Sequence, residues 1–324
     1  QMVSETDNLP FPLVGIGASA GGLEALQSFF ATLSDTTRMA YVVIQHLDPT
    51  HESMMASLLS RHTDLNIAVI QDGQQPQPGW LYLNPPDRNV ALVGGLFRLS
   101  AISSVNKGFY RIDHFFRSLA LDQGRNAVCV VLSGTGSDGA IGLREVKSAG
   151  GFSMVQEAAQ AGFSSMPQSA INTGQVDLIL PTEQMAEQMA QYVQHPYLDG
   201  LNGAGEQPLV DTGRTVQELF ALLRKHTGQD FSKYKPSTIY RRIERRMAVH
   251  QIDRMEDYLE YVQQNRPEVD LLFRDLLITV TSFFRNHEAF EVLKKGVLPD
   301  LLDTIPEDTP LRIWVPGCAT GEEA

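Results

Sequence analysis

Ser19 lies in Gly17-Ala18-Ser19-Ala20-Gly21, a G-x-S-x-G pattern between the apolar run "LVGIG" and the helical pattern "GLEALQSFF". Glycines on either side relieve the crowding of a tight strand-to-helix turn and leave the hydroxyl exposed. A helix starting behind the serine turns free backbone N–H groups toward the same point. The competing chemistry is dinucleotide binding, which needs G-x-G-x-x-G and an acid at the end of the next strand. Here Gly15 and Gly17 are followed by Gly21, one residue late, and the next apolar run, "AYVVIQH", ends in His46. A third run, "AVCVVL", leads into "SGTGSDGA" and sets Asp138 ahead of another helix, where an aspartate also suits an N-cap. Together these are the groups that acyl transfer requires: Ser19 to attack a carbonyl, His46 to take and return the proton, and Asp138 to orient the imidazole. Backbone N–H groups of the following helix, or of the "GTGSDG" loop, are the candidate oxyanion donors. The chain order Ser, His, Asp differs from the Ser, Asp, His of α/β-hydrolases. His46, Asp48, His51 and Glu52 match no metal-ligand spacing, so no metal is expected. The remaining histidines read as structural or solvent-facing.

Three side chains from distant parts of a chain meet only if the elements carrying them end at one place. Residues 11–195 alternate short apolar runs with amphipathic helical patterns, which predicts βαβ units and a doubly wound, mostly parallel sheet. In such a sheet, ligands sit outside the carboxyl ends of the strands, and Ser19, His46 and Asp138 each follow a predicted strand. Residues 67–101, broken by Gly and Pro, predict antiparallel hairpins at one side. The Gly-rich, aperiodic stretch 196–213 reads as a linker. Residues 214–285 carry apolar residues at three- and four-residue spacing, as a small helical domain does. "LRIWVPGCATGEEA", at the end of residues 286–324, reads as the truncated start of a further sheet.

Composition narrows the function classes. The 324 residues are 43% hydrophobic, normal for a chain that buries cores, and carry a net charge of −12, which argues against general nucleic-acid binding. No run of about 18 apolar residues and no amino-terminal signal pattern occurs, so neither a membrane span nor secretion is expected and a cytoplasmic place is. The two cysteines, Cys129 and Cys318, read as a buried apolar residue and a loop thiol rather than a disulfide or zinc site. Basic residues concentrate in 232–247, where Arg241, Arg242, Arg245 and Arg246 pair at i,i+4 spacing on a predicted helix flank.

"GIGASAGGLEAL", "VVIQHL", "VVLSGTGSDGAIGLREVKSAGG" and "SSMPQSAINTGQVDLIL", in that order, resemble the catalytic domain of CheB, the chemotaxis protein-glutamate methylesterase, over about residues 11–185. The resemblance implies that Ser19, His46 and Asp138 form the catalytic triad, and that the substrates are glutamyl methyl esters on chemoreceptor helices, with deamidation of glutamine at such sites. It also implies that Met166 and Pro167 border the active site. Ala20 stands where the family often has threonine, and Thr135 where many members have methionine. Backbone donors survive both changes. Only the residues before Phe11 precede the first predicted strand, so control through an amino-terminal receiver domain is not expected in this chain.

"FSKYKPSTIYRRIERRM", "YLEYV" and "LLITVTSFFRNHEAFEVL" resemble the amino-terminal domain of CheR, the chemotaxis receptor methyltransferase. That resemblance implies that the arginine stripe faces the acidic methylation region of the receptor. It makes Thr281 and Arg285 candidates for an S-adenosylmethionine site, with Gly317, Ala319, Gly321 and Glu322 in a nucleotide-binding loop. With most of the methyltransferase sheet missing, neither firm S-adenosylmethionine binding nor methyl transfer is expected. The expected whole is α/β: a CheB-like esterase domain, a small all-α domain and the start of a Rossmann-like methyltransferase domain. The expected partners are the cytoplasmic helices of methyl-accepting chemoreceptors, and a sensor kinase. The alternative is a non-catalytic docking module of a larger sensory fusion.

Overall fold

Strands form in short, mostly apolar runs. They are Leu13–Ala18 (β1), Ala40–Gln45 (β2), Asn66–Val69 (β3), Trp80–Leu83 (β4), Arg88–Val93 (β5), Leu96–Ala101 (β6), Ala127–Val131 (β7), Phe152–Gln156 (β8) and Leu178–Leu180 (β9). The computed structural model describes residues 9–33, 38–46, 54–102, 110–199, 213–277, 292–304 and 312–314. Seven strands form one sheet in the order β3-β4-β2-β1-β7-β8-β9, with every pairing parallel. Every residue of β1, β7 and β8 is buried, as both faces of a helix-covered parallel sheet demand. The chain winds outward in one direction from β1 through β2, and in the other through β7, so the switch point lies between β1 and β7.

Only part of the predicted hairpin region is antiparallel. β5 and β6 pair as a separate hairpin through Gly94 and Gly95, both at positive φ, whereas β3 and β4 join the main sheet in parallel. The connection after β3 does not turn back on itself. It runs along β6, with Gly73 N–H bonded to the Phe97 carbonyl and Asp72 accepting from Leu99 N–H.

Helices cover both faces. Gly22–Ala31 (α1), Met55–Leu59 (α2) and, further on, Thr182–Gln194 (α6) lie on one face, where Phe29, Phe30, Met185 and Met189 pack against Val14, Ile16, Tyr41 and Val43. Arg111–Gln123 (α3), Ala140–Ser148 (α4) and Ser165–Asn172 (α5) lie on the other, where Ile112, Phe115, Phe116 and Leu143 meet Leu13, Val42, Ile44 and Val131. Gly17 permits the closest approach: a Cβ there would stand 2.4 Å from Ile112 Cγ2, so α3 can lie against β1 only if this position is glycine. Cys129 is buried in this layer.

Pro196–Asp199 (α7) occupies the start of the expected linker and buries Tyr197 and Leu198, while residues 200–212 lie outside the described residues. Helices Gly213–Thr227 (α8), Pro236–Val249 (α9), Met255–Gln264 (α10) and Arg266–Leu277 (α11) share a core of Leu219, Leu223, Ile243, Tyr258 and Leu272. They are not a separate body on a tether. One compact unit runs to Leu276, and Ala248 and Val249 of α9 belong to the same apolar cluster as Tyr192 and Tyr197.

The arginine stripe explains this junction and corrects the expectation of a free basic face. Arg242, Arg245 and Arg246 are buried, and only Arg241 is exposed. Arg245 reaches the Gly151 carbonyl and pairs with Asp177, just ahead of β9, and with Asp275 at 2.8 Å. Lys147 of α4 lies 2.8 Å from Asp275 and 3.3 Å from Asp177. Arg246 pairs with Glu268, which also accepts the Tyr258 hydroxyl. Arg242 donates to the Lys147 and Ser148 carbonyls that close α4. Burying four cations is tolerable because three carboxylates and several carbonyls meet them. Burial raises the Glu268 carboxyl, but hydrogen bonds from His250 and Arg246 outweigh it and hold its pKa down at about 2. Asp177 is opposed by burial in the same way, and Arg245, Lys147 and Arg246 pull it still lower.

The second unit begins at Leu277. Its residues 292–304 are helical, with Leu293–Val297 as a π-type turn leading into Leu298–Thr304 (α12), and 312–314 have no regular structure.

Candidate active site

Ser19, His46 and Asp138 come together at the carboxyl rim, each just beyond a strand end. β1, β2 and β7 are hydrogen-bonded neighbours, so the residues that follow them are brought side by side. His46 Nδ1 lies 3.3 Å from Ser19 Oγ, and His46 Nε2 lies 2.9 Å from Asp138 Oδ2. The nitrogen facing a carboxylate carries the proton, so Nε2–H donates to Asp138 and the Nδ1 lone pair points at the serine hydroxyl. His46 keeps 26% of its side-chain surface and Asp138 only 5%, so the imidazole is reachable from solvent while the carboxylate is shielded.

Local structure fixes each member. Ser19 N–H donates to the Ser133 carbonyl at 3.0 Å, and Gly22 N–H to the Ser19 carbonyl at 2.9 Å, closing the turn through Gly21 at φ 66°. Ser133 locks that turn from behind: its hydroxyl donates to the Ala20 carbonyl and accepts Phe163 N–H, while its own N–H is held by Gln156 Oε1. Asn84 fixes the end of β2. Its side chain accepts Gln45 N–H and returns a bond to the Gln45 carbonyl, one residue before His46. Asp138 accepts Ile112 N–H at 2.9 Å and Asp113 N–H at 2.8 Å, so its carboxylate sits on the amino-terminal end of α3, where the helix dipole favours negative charge. Behind it, buried Arg111 donates to the carbonyls of Pro85, Pro86 and Arg88, tying the "NPPDR" loop to the start of α3.

Among the other expected residues, Ala20 is half-buried and Thr135 exposed, and among the described residues neither N–H has an intramolecular acceptor. Ala20 follows Ser19 directly, and Thr135 follows Gly134, where an added Cβ would stand 2.9 Å from Ser19 Cβ. Met166 is fully buried and supports the loop from beneath: its Sδ and the Ser19 Cβ crowd the point where a Cβ on Gly134 would lie, and its N–H donates to the Gly134 carbonyl. Pro167 is buried in the first turn of α5. Thr281, Arg285, Gly317, Ala319, Gly321 and Glu322 lie outside the described residues, as do Asp48, His51 and Glu52. Asn84, Arg111, Ser133 and Gln156 are absent from the sequence reading. Asn84 had a faint signal, a polar residue closing the run "WLYL" just before two prolines.

Among the described residues, no helix is long and apolar enough to cross a membrane. Three family profiles match in succession: CheB methylesterase over residues 14–189, the all-alpha domain of CheR methyltransferase over 214–277, and the SAM binding domain of CheR methyltransferase over 279–324. A protein of Rhodobacter capsulatus described as "Uncharacterized 104.1 kDa protein in hypE 3'region" is 38% identical over 290 residues, covering 83% of this chain and 30% of that one. A protein-glutamate methylesterase/protein-glutamine glutaminase of Photorhabdus laumondii is 34% identical over 181 residues, 55% of this chain and 51% of that one. The crystal structure of the Thermotoga maritima CheB methylesterase catalytic domain superposes with a TM-score of 0.52 at 27% identity, over 55% of this chain and 97% of that one. The chain thus spans about half the length of that Photorhabdus relative and less than a third of the Rhodobacter protein. With over half its length matched by the CheB methylesterase profile and the rest following as CheR sequence, the chain belongs to the CheB methylesterase family.

Proposed function

We propose that this chain is a serine esterase that hydrolyses glutamyl methyl esters on the cytoplasmic helices of chemoreceptors, and deamidates glutamine at equivalent positions. The observation that carries the reading is the hydrogen-bonded series Ser19–His46–Asp138 on the carboxyl rim, in a chain whose relatives bear that activity in their names. Ser19 Oγ attacks the ester carbonyl while its proton passes to His46 Nδ1. The tetrahedral oxyanion takes hydrogen bonds from the N–H groups of Ala20 and Thr135. Collapse expels methanol, which leaves with the proton from His46. Water, deprotonated by the same nitrogen, then cleaves the glutamyl-serine ester, frees the glutamate carboxylate and restores Ser19. With a glutamine the leaving group is ammonia and the remaining steps are the same. Asp138 keeps Nε2–H in place and stabilises the imidazolium.

The 3.3 Å serine-histidine separation is at the long end for an O–H···N bond, as expected of a site that tightens on its substrate. The S-adenosylmethionine candidates all lie outside the described residues, so no step is assigned to that ligand.

The test is methanol release from a methylated receptor cytoplasmic fragment by the parent chain and by Ser19→Ala and Asp138→Asn chains of unchanged melting temperature. Release by the parent with losses of about 10⁴ in kcat in both variants is expected. Equal release by parent and Ser19→Ala, or no release from a fragment that another methylesterase demethylates, would overturn the proposal.

A further inference from the structure

Neither helix that frames Asp138 is capped by its own N-cap residue. The N-cap of α3 is Tyr110 at φ 76°, that of α4 is Gly139 at φ 93°, and neither makes a side-chain capping bond. Each helix is capped instead by an aspartate belonging to the other. Asp138, one residue ahead of the α4 N-cap, accepts the N–H groups of Ile112 and Asp113 in the first turn of α3. Asp113, in that same first turn, accepts Gly142 N–H in the first turn of α4 at 2.6 Å. The bonds are reciprocal, so the two helix starts are tied to one another through two carboxyls, one of which is the triad acid. Gly142 allows the contact: a Cβ there would stand 2.5 Å from Phe116 Cβ and 3.0 Å from the Asp113 carbonyl.

Asp113 is itself 3% exposed, and its second oxygen, Oδ2, has no hydrogen-bond partner among the described residues. Burial raises this carboxyl from its ordinary value against the lowering effect of Gly142 N–H, and neighbouring Asp138 adds to the rise. A buried carboxyl that forms no ion pair among the described residues, Arg117 acting on it only through space, and that no step of the reaction uses calls for a reason to be there.

We propose that Asp113 is a positioning residue of the esterase: by holding the first turn of α4 against the first turn of α3, its carboxyl oxygen sets the place of Asp138 and thereby the aim of His46 at Ser19. What it supplies is a hydrogen-bond acceptor in a fixed place, at Gly142 N–H. Asp113→Asn keeps that acceptor and is close in shape, whereas Asp113→Ala removes it and leaves Gly142 N–H buried and unpaired.

The inference rests on the esterase reading, so the experiment separates the two. Parent, Asp113→Ala and Asp113→Asn chains are reacted with a fluorophosphonate, which labels an activated serine without any receptor. The amplitude counts competent molecules and the rate constant reports Ser19 activation. Methanol release supplies kcat and KM. Asp113→Ala is expected to label to the parent's amplitude but about tenfold to a hundredfold more slowly, with kcat lowered to match and KM unchanged, the scale on which misplaced catalytic groups lose rate. Asp113→Asn is expected to stay within threefold of the parent. A merely structural role would lower amplitude and leave the rate constant alone, and that result overturns the inference. So does an alanine chain that labels at the parent's rate, or an asparagine chain as slow as the alanine one. Should Asp113→Ala melt below the assay temperature, Asp113→Asn decides alone: parent-like labelling supports the inference and a tenfold loss overturns it. A parent chain that labels but releases no methanol overturns the substrate assignment and leaves the labelling comparison valid. A parent that does not label overturns both.

Discussion

The two rims of one sheet are put to opposite uses. At the carboxyl rim Ser19, His46 and Asp138 are joined by two hydrogen bonds, and the imidazole is open to solvent. At the amino rim, beside the Gly151 carbonyl that leads into β8 and Asp177 ahead of β9, Lys147, Arg245 and Arg246 meet Asp177, Glu268 and Asp275 with almost no surface left exposed. Charge density is therefore a poor guide to chemistry here. The carboxylates held furthest below their ordinary values, Asp177 and Glu268, join the helical domain to the sheet, whereas the catalytic reading rests on strand ends and backbone N–H groups. The difference also clears the approach to Ser19: the helical domain is anchored at the opposite end of the sheet.

The contrast predicts a double dissociation. The largest effect belongs to the upper rim, where Asp138→Asn removes about 10⁴ of kcat while leaving the urea midpoint near that of the parent. Next, at the lower rim, Arg245→Met leaves Asp177 and Asp275 short of a buried partner. It should lower unfolding stability by about 3 to 5 kcal/mol in urea, with kcat of the folded fraction little changed. If Arg245→Met abolished catalysis at full stability, the division of labour between the rims would be wrong.

Acid provides a milder probe. Glu268 and Asp177 are held below their ordinary values, so the stability they contribute is complete above about pH 4.5 and is lost as pH falls toward about 2, where Glu268 takes up its proton. These groups should leave the melting temperature flat from pH 7 to 5 and lower it progressively below 4.5. A rise over that lower range would contradict the network. Smallest of all, Arg241→Ala should change stability by no more than about 0.5 kcal/mol, because Arg241 alone of the four arginines faces solvent.

How much of this was legible in the sequence follows from what each feature depends on. Ser19, His46 and Asp138 could be found because each stands where an apolar run stops, and a doubly wound sheet brings such stops to one rim. The direction of β3 and β4 could not, since short apolar runs do not reveal their partners and the deciding contact is a loop lying along β6. The arginine stripe misled for a similar reason. Spacing shows which residues share a helix flank but not that the flank meets Asp177 and Lys147, which lie far back in the chain. The supports of the site, Asn84, Ser133 and Gln156, are single polar residues whose role exists only once the strands are side by side.

The buried junction also bears on heredity. Domains are exchanged between proteins most readily where few contacts cross the cut, and the Gly-rich stretch after α7 looks like such a place. Yet a recombination that moved residues 9–199 alone would uncover the apolar surface that Ala248 and Val249 protect, and would leave Lys147 and Asp177 without Asp275 and Arg245. As a unit of exchange, this CheB methylesterase-family domain carries its helical neighbour with it, and the workable cut falls after Leu276.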